Sequence, residues 1–150
     1  MIERNGGGGV MRPATAADAA AVAGLIQALA EDFDGHTTVS PEWIVECLAD
    51  DDFFALVADV GGAVVGVVTW TLARGLFHGK KSAVIQEASV APAHQKTGIG
   101  RALLEEAVAQ IKQRDVAEIS ISTGFENERA KHLYRSLGFV EETLMLEQHL

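Results

Sequence analysis

Two glycines stand two apart at the start of a helical pattern, in Gln95-Lys96-Thr97-Gly98-Ile99-Gly100-Arg101. A helix start offers backbone N–H groups without intrahelical partners and the positive end of the helix dipole. Glycine at 98 and 100 removes side chains that would keep a phosphate at a distance. Lys96 and Arg101 add positive charge. Gln95, Lys96, Thr97, Gly98, Ile99, Gly100 and Arg101 therefore form a candidate pyrophosphate site. An isolated Gly-x-Gly is more often an ordinary helix start, so the motif needs support from elsewhere in the chain. It lacks the Gly-Lys-Ser/Thr ending of a P-loop. It also lacks the third glycine and the preceding βαβ unit of a dinucleotide fingerprint.

Other chemistry-bearing residues are less telling alone. Tyr134 lies in a helical stretch, where an aromatic usually serves packing. Asn127 reads as an N-cap. The histidines at 36, 78, 94, 132 and 149 show no metal-ligand spacing and read as surface residues, with His78 a minor candidate for an acceptor site. No Gly-x-Ser-x-Gly marks a hydrolase nucleophile. Cys47, among Ile44 and Leu48, suits a small core position.

The elements that must hold these residues follow from periodicity. Residues 10–13 read as a short strand restricted by Pro13. Thr15 is a candidate N-cap for a helix carrying Ala19, Val22, Leu25, Ile26 and Leu29. Residues 31–40 are polar and read as a loop. Ser40 and Pro41 open a second helix. The apolar runs 53–60 and 63–72 form a hairpin across Gly61-Gly62. Strands are expected at 83–90, 116–122 and 139–147, and helices at 98–114 and 126–137. The order is β-α-α-β-β-β-α-β-α-β, an α/β fold with a mixed sheet and helices on both faces.

The chain has 150 residues, 48% of them hydrophobic, enough for one domain with its own core. Residues 10–150 are taken as that domain. Residues 1–9, with Gly6 to Gly9, read as a flexible tail, native or appended. With 12 basic and 21 acidic side chains the formal charge is −9, which argues against nucleic acid as a partner. No apolar run approaches a membrane span, and no signal peptide is evident, so a cytoplasmic location is expected. A single cysteine excludes an internal disulfide.

Two stretches taken together are specific. Gln95-Lys96-Thr97-Gly98-Ile99-Gly100, after a strand ending in Val-x-Pro, resembles the Arg/Gln-x-x-Gly-x-Gly/Ala motif of the GNAT superfamily of N-acetyltransferases. About 30 residues on, the segment from Asn127 to Phe139 is similar to that family's Asn-x-x-Ala-x-x-x-Tyr-x-x-x-Gly-Phe pattern. The resemblance covers residues 10–150 and includes the strand order.

It implies acetyl-CoA as cosubstrate and strands 83–90 and 116–122 splaying apart to admit the pantetheine arm; no metal is expected, since the histidines lack ligand spacing. By position, the Ala88 N–H would face the thioester oxygen and Val90 would bond the pantetheine amides. Tyr134 would protonate the departing thiolate. Asn127 would contact CoA, and Ala130 would leave room for its arm. Family members often place a carboxylate base on the strand before the CoA loop, and there only Glu87 is acidic. Alternation puts Glu87 on the face opposite Ala88 and Val90 unless a bulge intervenes. The acceptor would be a small amine, and Glu31, Asp32 and Asp34 would favour a cationic one. A protein N-terminus or lysine is the alternative acceptor, a non-catalytic acyl-CoA sensor the alternative class, and a homodimer one open assembly.

Overall fold

The computed structural model describes Ile2–Glu3 and residues 9–150. Most of the expected tail therefore lies outside the described residues. Within it, Ile2–Glu3 is a two-residue strand, β1, paired antiparallel with Val10 and Met11.

β2 (Val10–Pro13) leads to a 3-10 turn at Ala16–Asp18 and then α1 (Ala19–Asp32). Thr15 serves that turn rather than α1 itself: its N–H and hydroxyl both donate to the Asp18 carboxylate, at 2.8 and 3.2 Å. α2 (Pro41–Leu48) begins where Ser40 Oγ accepts from Trp43 N at 3.2 Å, with Pro41 at the first helical position. Then follow β3 (Phe53–Val60), β4 (Ala63–Arg74), β5 (Lys81–Val90), α3 (Ile99–Lys112), β6 (Ile119–Ile121) and α4 (Glu128–Ser136).

The strands lie in sequence order, β1-β2-β3-β4-β5-β6, in one mixed sheet. All neighbours are antiparallel except β5 and β6. Alternation along the central strands feeds two cores. Val57 and Val67 meet α1 and α2 through Val22, Leu25 and Ile44. Leu56, Val68, Trp70 and Ile85 meet α3 through Ile99, Leu103, Leu104 and Ile111. Leu133, Tyr134 and Leu137 of α4 pack against this second core. Close approach of α3 to β4 depends on Gly66, where an added Cβ would come within 2.9 Å of Leu103 Cδ1.

Two expectations change. The strand expected over 116–122 forms only at 119–121: Ala117 and Glu118 still hydrogen-bond Lys81 and Ala83 ahead of it, and beyond Ile121 the ladder stops because β5 shifts register after Ile85. The strand expected over 139–147 does not form among the described residues. Phe139 packs against Tyr134, but Val140, Leu144, Met145 and Leu146 are exposed. A strand needs a partner, and β6 presents a three-residue edge that is too short to anchor one.

Candidate active site

The site is organised by one irregularity in β5. Val68 of β4 pairs with Ala88, but Trp70 pairs with Ile85. Gln86 and Glu87 thus oppose the single residue Thr69, which is a β-bulge. Ile85, Ala88 and Val90 lie on the α3 side of the sheet, with the core beneath that helix. Gln86 and Glu87 both line a cavity on the α2 side. Glu87 therefore remains opposite Ala88 and Val90, and the bulge brings Gln86 to its side.

The bulge also redirects the backbone. Before it, Ala83 N donates to Glu118 O at 3.0 Å, toward β6. After it, Ala91 N donates to Val65 O at 2.8 Å, toward β4. By alternation from Ala91, Ser89 faces β4, while Ala88 and Val90 direct their N–H and C=O groups to the other side. There β6 has already ended, since pairing stops at Ile85 and Ile121. The two parallel strands splay, and the backbone of Ala88 and Val90 borders the gap. Gln95 Nε2 donates to Val90 O at 3.0 Å in this gap.

On the α3 side a cavity of about 160 Å³ is lined by Ala88, Val90, Gly100, Leu104, Ala130 and Tyr134, among others. Gly100, in the first turn of α3, places the cavity next to the loop that precedes that helix. Lys96 and Gly98 there adopt positive φ, 61° and 89°. Thr97 Oγ1 donates to His94 O at 2.5 Å. Gly98 caps α3, so the N–H groups of the first helical turn lack intrahelical partners. Ile99 turns its side chain into the core, which leaves only its backbone for a ligand. Arg101 donates to Glu105 at 2.9 Å and to Ser136 Oγ at 3.0 Å, bridging α3 and α4. Asn127 Oδ1 accepts from Ala130 N at 3.0 Å and caps α4. Burial raises the Tyr134 phenol above its ordinary value, so it keeps its proton at neutral pH.

On the α2 side a second cavity, about 460 Å³, is lined by Trp43, Glu46, Cys47, Asp50, Gln86 and Glu87, among others. Residues 43, 46, 47 and 50 form one face running along α2 and just past its C-terminus. Cys47 lines this cavity rather than filling the core. Burial raises its thiol, and Glu87, Glu46 and Asp50 add to the shift. Glu31, Asp32 and Asp34 do not line it. His78 lies in the β4–β5 connection, 3.4 Å from Glu118, away from both cavities.

A model of the acetyltransferase (GNAT) family matches residues 22–139, most of the chain. The chain belongs to the GNAT family. A segment of 56 residues is 41% identical to the ribosomal protein bS18-alanine N-acetyltransferase of Escherichia coli K12. That segment spans 37% of this chain and 38% of that enzyme's length. Among solved structures, a putative acetyltransferase from Agrobacterium tumefaciens C58 superposes with a TM-score of 0.82 at 21% identity, covering 94% of this chain and 99% of that one. An aminoglycoside acetyltransferase from a soil metagenomic sample gives 0.80 at 19% identity, covering 95% and 96%.

Of the residues singled out in this GNAT chain by sequence, Ala88, Val90, Gly100, Ala130 and Tyr134 meet in one cavity. Gln95, Lys96, Thr97, Gly98, Arg101 and Asn127 lie in or beside the loop and helix starts around it. Glu87 lines the other cavity. Sequence reasoning passed over Trp43, Glu46 and Asp50, whose signal was helical spacing. It also passed over Thr69, which has no signal without the bulge. Among the described residues, no group of three or more His, Cys, Asp or Glu gathers as a metal site.

Proposed function

We propose that the protein is an acetyl-CoA-dependent N-acetyltransferase acting on the primary amine of a small cationic molecule, by direct attack in a ternary complex. The observation that carries this reading is the pair of cavities on opposite faces of β5, one lined by Ala88 and Tyr134 and the other by Glu87. An acyl donor and an amine could approach one point of the strand from its two sides.

The fit to acetyl-CoA rests on the splayed strand and the loop. Val90 offers backbone hydrogen bonds to the pantetheine amides, in place of a neighbouring strand. The start of α3, with Lys96 and Arg101, offers N–H groups and positive charge to the pyrophosphate. Ala130 keeps the cavity wall low. Acetyl-CoA supplies an acyl group already activated as a thioester. The Ala88 N–H would donate to the thioester oxygen as negative charge develops there. Glu87 would accept the proton lost by the amine, directly or through water. Tyr134 would give its proton to the departing sulfur.

Glu46, Asp50 and Glu87 around one cavity support a cationic acceptor, because a substrate with a second ammonium gains from them while the reacting amine turns neutral. Trp43 adds an aromatic face suited to a cation. The test compares kcat/KM for a diamine and a neutral monoamine of similar length across a salt series. The diamine should lead at low salt and lose part of its lead as salt screens the acids, with a Debye length of ~10 Å at 0.1 M. Equal rates would end the cationic reading. The segment shared with the ribosomal-protein acetyltransferase favours a second reading, a protein N-terminus as acceptor. Preference for peptides beginning with alanine over every small amine would establish it.

A further inference from the structure

We infer that Thr69 is a positioning residue for Glu87 and sets the geometry of the amine-side carboxylate. The inference rests on the assignment of Glu87 as base. A bulge leaves one residue without a ladder partner, and its backbone must be satisfied elsewhere. Here Glu87 N donates to Thr69 Oγ1 at 3.2 Å. The same hydroxyl donates its proton to Glu87 Oε2. One side chain thus holds both the backbone and the carboxylate of Glu87.

Thr69 is suited to this by its place. It is 4% exposed, on β4, between Val67 in the core under α1 and Thr71 at the α2-side cavity. β-branching leaves its χ1 little freedom, so the hydroxyl is fixed by the strand and not by the substrate. Thr71 Oγ1 accepts from Gln86 Nε2 at 3.1 Å, so both bulge residues are tied to β4 hydroxyls. A carboxylate reaching into an open cavity would otherwise sample several rotamers. A base acts only within hydrogen-bond reach of its proton, so fixing one rotamer affects the chemical step more than binding.

Thr69→Val keeps the shape of the side chain and removes both hydrogen bonds. Thr69→Ser keeps the hydroxyl. The experiment measures kcat, KM for both substrates and thermal midpoint for Thr69→Val, Thr69→Ser, Glu87→Gln and the double variant Thr69→Val/Glu87→Gln. Thr69→Ala stands in if the valine variant does not fold. We expect Thr69→Val to lower kcat by about 10-fold, with KM for acetyl-CoA unchanged. Thr69→Ser should restore most of the rate. In the Glu87→Gln background the valine change should cost nothing further, because the group it positions is gone. The same loss of kcat in both backgrounds would assign Thr69 a structural role only and overturn the inference while leaving Glu87 as base. A wild-type rate in Thr69→Val would overturn it likewise. A wild-type rate in Glu87→Gln removes the carboxylate from the reaction, and the role of Thr69 falls with it.

Discussion

Tyr134 and the two glycines at the start of α3 carry distinct predictions because their surroundings differ. Tyr134 is held in its protonated form by burial, with Ala88 and Ala130 across the same cavity. Tyr134→Phe should leave CoA binding intact and lower turnover. Loss of a general acid costs about 10²–10⁴-fold, and the lower end is expected for a thiolate leaving group. In the proposed mechanism Tyr134 acts in its protonated form, so its contribution to the rate should be present at neutral pH and fall as pH rises through that raised value. A pH series of kcat for wild type and Tyr134→Phe checks this, since the basic limb should be missing in the variant. At the start of α3, Gly98 and Gly100 answer different questions. Gly98 has φ +89° and open space around it, so any side chain strains the backbone before it meets a ligand. Gly100 is helical, and a Cβ there would meet Val90 Cγ2 at an ordinary 3.5 Å. Gly100→Glu is therefore the cleaner probe of the pyrophosphate site. It should fold normally and lose at least about 10-fold in CoA affinity by calorimetry, from negative charge against phosphate. Unchanged affinity would move the phosphates elsewhere.

At the scale of elements, α2 and the β5 bulge bring the residues of the second cavity together, and they were unequally legible. The caps at Ser40 and Asn127 could be read because each is local, a residue type at a fixed offset from a helix start, whereas Tyr134 and the glycine pair gained their candidate roles only from the longer family pattern. The bulge could not, since it depends on the register of β5 against β4, and register is a property of two strands. The bulge alone makes Thr69 the partner of Glu87. From sequence, a cationic acceptor was tied to Glu31, Asp32 and Asp34, where acids are dense along the chain. The acids that line the α2-side cavity with Glu87 are Glu46 and Asp50, on and just past the α2 face that carries Trp43 and Cys47, spread by helical spacing and gathered in space. The final strand failed for the same reason as the bulge, because an edge partner cannot be read from one segment. Neutralising the α2 face with Glu46→Gln and Asp50→Asn should lower kcat/KM for a diamine several-fold and leave a neutral monoamine unchanged. The diamine's salt dependence should flatten as well. Equal losses for both amines would show that α2 shapes the cavity without selecting charge.

The whole molecule is a sheet held between two helical layers, with the chain's ends tied in differently. Near the start, Arg12 donates to Asp18 at 2.7 and 2.9 Å and to Asp59 at 3.1 Å, joining β2, the first turn and β3. Its hydrogen bonds, opposed by partial burial, hold the Asp18 carboxyl down at about 2 against an ordinary 3.8. A depressed carboxylate stabilises the fold above its unfolded value and loses that contribution as pH falls through the folded one. Thermal midpoints should therefore drop between about pH 4 and pH 2, and Asp18→Asn should be flatter across that window while being less stable at neutral pH. A variant as stable as wild type at pH 7 would remove this network from the fold's support. The family match places the chain among acetyltransferases, and two cavities lie on opposite faces of β5. The most direct test is release of CoA thiol from acetyl-CoA, followed with and without a panel of amines. The account predicts thiol release that depends on amine and matches the N-acetylated product mole for mole. Tight acetyl-CoA binding with no amine-dependent release, for small amines and alanine-terminated peptides alike, would contradict it and leave a non-catalytic sensor of acyl-CoA.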